Sequence, residues 1–332
     1  MRVDALGCGP PSRTLGPRMS RAARGSPTMS SPNGLVTIVG EPADPALGAP
    51  VLLHNLTGFL DAGAAGKIAV DSLCAALPCE PVAEFDLDAI YDYRARRPRM
   101  TFLTDHYGEI EMPSLRVDRL RDLAGTEFLV LHGPEPDFRW RAFAKDTLWL
   151  IEQLGVNLTI GLHAVPWPAP HTRPVNVTSH GTNPELLADP RQFVGDLEVP
   201  AHAAGLLELT LGAAGHTALG FAAHVPHYLA GAQYPRASIA LLNSLAGQTG
   251  LQLPMDVLRE NAQEADDDIA RQLSAEPENL EAVHMLEQQY DDFMARLEHA
   301  DDQATDISDL DPKDFVDQVE RFLAGRENDE DH

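Results

Sequence analysis

From residue 35 to residue 250 the chain alternates short apolar runs with longer stretches of helical periodicity, and this alternation restricts the fold more than any other feature. Apolar runs at 35–39, 51–56, 82–85, 100–104, 128–132, 156–163 and 175–178 read as strands, with a further one near 218–225. Most are apolar throughout, as strands covered on both faces must be. Helical spacing falls between them, over 62–77, 140–154, 203–211 and 237–249. Strand followed by helix, repeated, predicts a mainly parallel sheet with helices on both faces, that is, an α/β fold of the three-layer αβα sandwich type.

The flanks differ from this middle. Residues 1–33 are rich in Gly, Pro, Ser and Arg and cannot bury enough apolar surface to fold alone, so a disordered basic tail is expected there. After the sandwich, expected over 34–250, residues 251–325 read as an acidic helical extension and 326–332 as a second disordered tail. Leu280, Val283, Leu286, Tyr290, Phe293 and Leu297 recur every three or four residues and form one apolar face. Pro277 suits a first helical turn, and Asp311-Pro312 suits the start of a last helix carrying Phe315, Val319 and Phe322. The apolar face needs cover, from the sandwich or from another subunit.

Charge sharpens the division. The formal net charge is -25, of which -19 belongs to residues 250–332 and +4 to residues 1–32. So acidic a chain repels phosphate backbones and anionic membranes, which excludes nucleic acid as an expected partner. No run approaches the roughly 18 apolar residues of a membrane span, so no membrane partner is expected either. Cys8, Cys74 and Cys79 show no metal-ligand spacing in the sequence and fit a reducing, cytoplasmic compartment.

Five loops carry residues of chemical interest. Gly58 to Lys67 lies between a strand and a helix, where a phosphate cradle would sit, but it matches neither the P-loop nor a dinucleotide fingerprint. Its glycines, Gly63 among them, then serve a tight turn, with Asp61 as a cap. Arg94 and Arg97 stand with Arg96 and Arg99 near Asp86, Asp88, Asp92 and two tyrosines, either as an oxyanion pocket or as a solvated ion-pair loop. Glu135 and Asp137 follow a strand end, where α/β proteins bind ligands, yet Asp137 could equally cap the next helix and Trp140 could pack. His171, Thr172 and Arg173 sit in a proline-stiffened turn that suits an oxyanion or a rigid subunit contact. His224 and His227, beside Tyr228, are three apart but lack the other ligands of a recognisable metal set, so satisfied or surface histidines are expected, with no metal and no cofactor.

Taken together, Gly58-Phe59-Leu60-Asp61-Ala62-Gly63, Asp92-Tyr93-Arg94 with Arg97-Pro98, Gly133 with Glu135-Pro136-Asp137 and Trp140, His171-Thr172-Arg173-Pro174 and Val225-Pro226-His227-Tyr228 resemble the proteasome assembly chaperone 2 family in its bacterial form. The resemblance spans roughly 35–250. It implies a sandwich similar to the nucleoside-phosphorylase fold, and self-association or pairing with a sister chaperone to assist assembly of the proteasome core particle. It implies no catalysis. Relatives that dock on α-subunit pockets use a C-terminal hydrophobic-Tyr-any tail, whereas this chain's last residues are Glu330-Asp331-His332. The expected function is therefore a non-catalytic protein-binding module, acting as a homo-oligomer, with a trimer among the options, and with proteasome core-particle subunits as partners. The competing expectation is a binder or enzyme using a phosphorylase-like cleft, with Arg94, Arg97, Glu135, His171 and Arg173 around an anionic or nucleoside-like ligand.

Overall fold

The computed structural model describes residues 29–40, 50–187, 198–275 and 277–302. A nine-stranded sheet forms the middle layer. Its strands in chain order are β1 (Met29–Ser30), β2 (Val36–Ile38), β3 (Val51–Thr57), β4 (Cys79–Phe85), β7 (Arg116–Arg121), β8 (Glu127–Pro134), β9 (Leu158–Trp167), β10 (Val177–Gly181) and β11 (Thr217–Pro226). They lie side by side as β1-β2-β4-β7-β8-β3-β9-β11-β10. The central block β8-β3-β9-β11 is parallel, and the strands on both flanks pair antiparallel.

Helices α1 (Ala65–Ala76), α4 (Pro235–Thr249) and α5 (Asp256–Ala275) cover one face, and α2 (Trp140–Gln153) and α3 (Ala203–Ala213) the other. Because strand side chains alternate between faces, neighbours in sequence feed different cores. Leu53, Val130 and Ile160 join Val70, Leu73, Leu241 and Leu245 in one, while Leu52, Leu129 and Leu131 join Phe143, Leu150 and Leu207 in the other. The αβα sandwich read from the alternation is this arrangement. Helix ends follow the same chemistry as the sequence: α4 starts on Pro235 and stops at Gly250, whose φ of 74° lets its N–H close on Ala246 O.

Three differences from the sequence reading have clear causes. The run at 100–104 is no sheet strand covered on both faces; β5 (Met100–Leu103) pairs only with β6 (His106–Ile110) in a separate two-stranded ribbon whose residues are all exposed. Strand β7 went unread because its sequence, RVDRLR, carries four charged side chains. Within the segment read as tail, Met29 and Ser30 form β1. Ser31 Oγ, Asn33 N–H and Nδ2, and Leu35 N–H all donate to the buried Asp146 carboxylate at 2.5–3.1 Å, which fastens the segment to α2.

Helix α6 (Pro277–Asp302) folds back on α5 as a hairpin and begins at Pro277, as its sequence suggests. On its apolar face Val283 and Tyr290 are buried, whereas Leu280 remains exposed. The expected last helix from Asp311-Pro312 and the expected terminal tails at 1–28 and 326–332 lie outside the described residues.

Candidate functional site

The parallel strands β3, β8, β9 and β11 deliver four loops to one edge of the sheet, at their carboxyl ends. Asp61, Gly63, Glu135, Asp137, His171, Thr172, Arg173, His227 and Tyr228 all lie on these loops, and Trp140 opens α2 just beyond. This is the position where α/β sheets bind ligands. The chain's own groups occupy much of it.

Asp61 takes the place a phosphate would have. Its carboxylate accepts from Gly66 N–H (2.7 Å) and Lys67 N–H (2.9 Å) in the first turn of α1. Gly63 has φ of 66°, donates to Ala230 O and accepts from Tyr234 N–H. A Cβ there would stand 2.8 Å from Tyr234 Cβ, so only glycine fits this crossing of two strand-end loops.

Glu135 performs the same service for α3. Its Oε1 accepts from Ala203 N–H at 2.6 Å, and burial pushes the carboxyl above its ordinary value against the effect of that hydrogen bond. Asp137 does not cap α2. It accepts from Asp92 N–H and Arg96 Nη2, both at 2.6 Å, and so ties down the arginine loop, while Trp140 donates its indole N–H to Pro136 O and packs on the core. Among the arginines, Arg96 holds the internal position, stacked on Tyr91 at 4.3 Å, whereas Arg94 and Arg97 are exposed. Competition between four similar arginines leaves no sequence signal for which one turns inward.

The turn His171-Thr172-Arg173 meets α6. Arg173 grips Asp291 with a two-pronged fork (Nε to Oδ1 2.8 Å, Nη2 to Oδ2 2.6 Å) and reaches Glu287, which Thr172 also bonds. Asn176 Nδ2 donates to Tyr290 Oη at 2.8 Å, and Tyr228 Oη accepts from His171 N–H at 2.8 Å. The hydrogen bonds from Thr172 and His284 to Glu287, and from Arg173 to Asp291, hold both carboxyls below their ordinary values. The acidic hairpin is thus fastened over the strand ends by the residues that read as an oxyanion site. Arg173→Glu is expected to release it: amide exchange in α6 should become severalfold faster while α1 to α4 keep their protection, as read by hydrogen exchange with mass spectrometry.

Four histidines that the motif search passed over gather beneath these loops. His54 and His163 sit inside apolar strands β3 and β9, and His180 and His202 approach from β10 and the start of α3. The His163 ring lies 5.4 Å from His180 and 6.5 Å from His202, centroid to centroid. His54 presses on Gly161, where a Cβ would be 2.8 Å from the ring. Burial lowers His54 to about 4 and takes His163 well below its ordinary value. His54, His163 and His202 line, with Phe59 and Glu135, a cavity of about 20 Å³. That is room for about one water and far short of the roughly 300 Å³ at which organic-ligand pockets begin. The signal for His54 and His163 was an ionisable residue within an otherwise apolar strand. His224 is a satisfied histidine: it stacks on Trp167 at 4.0 Å, lies 2.7 Å from Thr178 Oγ1, and burial lowers it to about 4.

A larger groove, of about 490 Å³, opens between the 227–229 turn and the α5–α6 hairpin, lined by His227, Tyr228, Ile269, Leu273, Val283 and Leu286. Of Arg94, Arg97, Glu135, His171 and Arg173, Glu135 alone lines the small cavity, and none of the five lines the groove.

The fold and its edge define a three-layer α/β protein whose strand ends are tied off by internal carboxylate caps and a docked acidic hairpin. The chain belongs to the PAC2 family, whose model matches residues 55–273. It is 41% identical to a Mycobacterium tuberculosis protein of unknown function, with a TM-score of 0.74 over 87% of this chain and 95% of that one. A protein of unknown function from Corynebacterium glutamicum is 34% identical, with a TM-score of 0.75 over 79% and 98%. A proteasome-assembly chaperone homologue from Mycobacterium tuberculosis is 29% identical, with a TM-score of 0.65 over 70% and 99%. No match to the chain is found among curated proteins.

Proposed function

We propose that this chain is a non-catalytic, cytoplasmic protein-binding module that acts in protein complex assembly as a homo-oligomer, with proteasome core-particle subunits as its partners. The observation that carries the reading is the β5–β6 ribbon. Met100, Phe102, Leu103, Tyr107, Ile110 and Met112 are all 44–73% exposed on or beside it. A two-stranded ribbon is marginal in water by itself, and a cluster of large apolar side chains standing clear of the sheet is the usual mark of a protein contact. The likeness to the proteasome-assembly chaperone homologue, which spans nearly all of that chain, supports the choice of partner.

Purification from native cells under conditions that preserve weak complexes tests it. Proteasome core subunits should co-elute with a multimer of this chain, a trimer being one closed arrangement. Recovery of the protein without any proteasome subunit would remove the assembly role.

A further inference from the structure

On the face covered by α1, β7 carries a polar side chain in an apolar layer. Asp118 is completely buried. Its Oδ2 accepts from Arg116 Nε (2.8 Å) and lies 2.7 Å from His132 Nε2 on the neighbouring β8. Its Oδ1 is buried and has no hydrogen-bond partner. A buried carboxylate oxygen without a protein partner is costly, and a water or an ion is what ordinarily satisfies it.

Two thiols converge on the same place. Cys74 comes from the last turns of α1 and Cys79 from the start of β4, and both pack against the core on the face of the sheet that α1 covers. One ligand atom from each of Cys74, Asp118 and His132 lies within 4.8 Å of the others. A tetrahedral ion with bonds of about 2.0 to 2.3 Å spaces its ligand atoms roughly 3.3 to 3.8 Å apart, so side-chain shifts of about an ångström close these three on an ion, and Cys79, outside the set, must turn in to supply the fourth ligand.

We propose that Cys74, Cys79, Asp118 and His132 form a structural zinc site that ties α1 to β4, β7 and β8. Two sulfurs, one imidazole nitrogen and one carboxylate oxygen are a donor set that suits zinc and not the oxygen-seeking magnesium or calcium. The charges also balance. Binding releases the two thiol protons to solvent, and the ion with two thiolates and one carboxylate carries -1, which the adjacent Arg116 guanidinium neutralises. Arg116 keeps its bond to Oδ2 while Oδ1 turns to the metal, the outer-shell arrangement that orients a carboxylate ligand. The site is independent of the protein-binding reading.

The test uses the untagged full chain carrying Cys8→Ser, reduced, stripped with a chelator and titrated with Co2+ and then Zn2+. One equivalent of Co2+ should produce a thiolate-to-cobalt charge-transfer band, which Zn2+ then abolishes. Cys74→Ser and Cys79→Ser should each remove or sharply weaken the band with the far-ultraviolet circular dichroism unchanged. Arg116→Gln should keep it while weakening affinity roughly 10- to 100-fold. Should either serine variant fail to fold, alkylation of the parent supplies the readout: Zn2+ should protect Cys74 and Cys79 from a thiol reagent. Absence of the band from the reduced parent, its persistence in both serine variants, or unprotected thiols in the presence of Zn2+ would each overturn the site.

Discussion

Replacing Phe102 and Tyr107 together by serine is expected to convert the proposed oligomer to monomer, measured as mass by light scattering, with the far-ultraviolet circular dichroism unchanged. The two rings touch one another edge to face at 5.3 Å and are otherwise 61% and 73% exposed, so the folded monomer loses little when they go. In an interface they count heavily. Burying a large apolar side chain is worth about 1.5 to 3 kcal/mol, so the pair contributes roughly 3 to 6 kcal/mol for each copy, two to four orders of magnitude in Kd. A variant that keeps the parent's oligomeric mass would show that the ribbon is not the contact, and a monomeric parent would remove the oligomer itself.

The second large effect is acid sensitivity set by the buried histidines. His54 and His224 each titrate near 4 in the folded protein, against 6.5 when unfolded, with burial the first cause in both. Glu208, close to His54, opposes part of that lowering, while His180 and His202 add to it. Between these values the unfolded chain binds protons that the folded chain refuses. Stability is therefore fully present above about pH 6.5 and falls as pH drops toward 4. At pH 5 each of the two costs about 2 kcal/mol relative to pH 7, so their joint loss is about 4 kcal/mol, and His163, lowered further, adds to it. Glu135 works in the opposite sense because its carboxyl is raised, and it offsets a part of the loss once it takes up its proton. Urea unfolding at pH 7 and pH 5 measures the difference, and His224→Phe should shrink it by about 2 kcal/mol. An unchanged difference in that variant would place the acid sensitivity elsewhere.

Much of the molecule follows from local pattern. Runs such as 51–56, 128–132 and 218–225 are apolar on both sides because both sheet faces are covered, and they became β3, β8 and β11 within one or two residues. Gly63 and Asp61 declared a tight turn and a helix cap, and the structure uses them so. Residues 100–104 misled for the same reason that made other runs legible: apolar content marks burial, and here nothing among the described residues covers the ribbon. Strand β7 was hidden because its charges find partners within the sheet, Asp118 with Arg116 and Arg119 with Glu127 on the neighbouring β8.

Periodicity, turn chemistry and charge together determined the αβα class, the helical extension and the concentration of acid in it, because each depends on residues a few positions apart. Only the tertiary structure decided that Arg173 is bound to Asp291 and Glu287, that His54, His163 and His202 line one small cavity, and that Cys74 stands beside a buried aspartate and a histidine. Those juxtapositions join segments from different strands and helices, and side-chain chemistry written along a chain carries no record of which distant segment the packed sheet will bring opposite it.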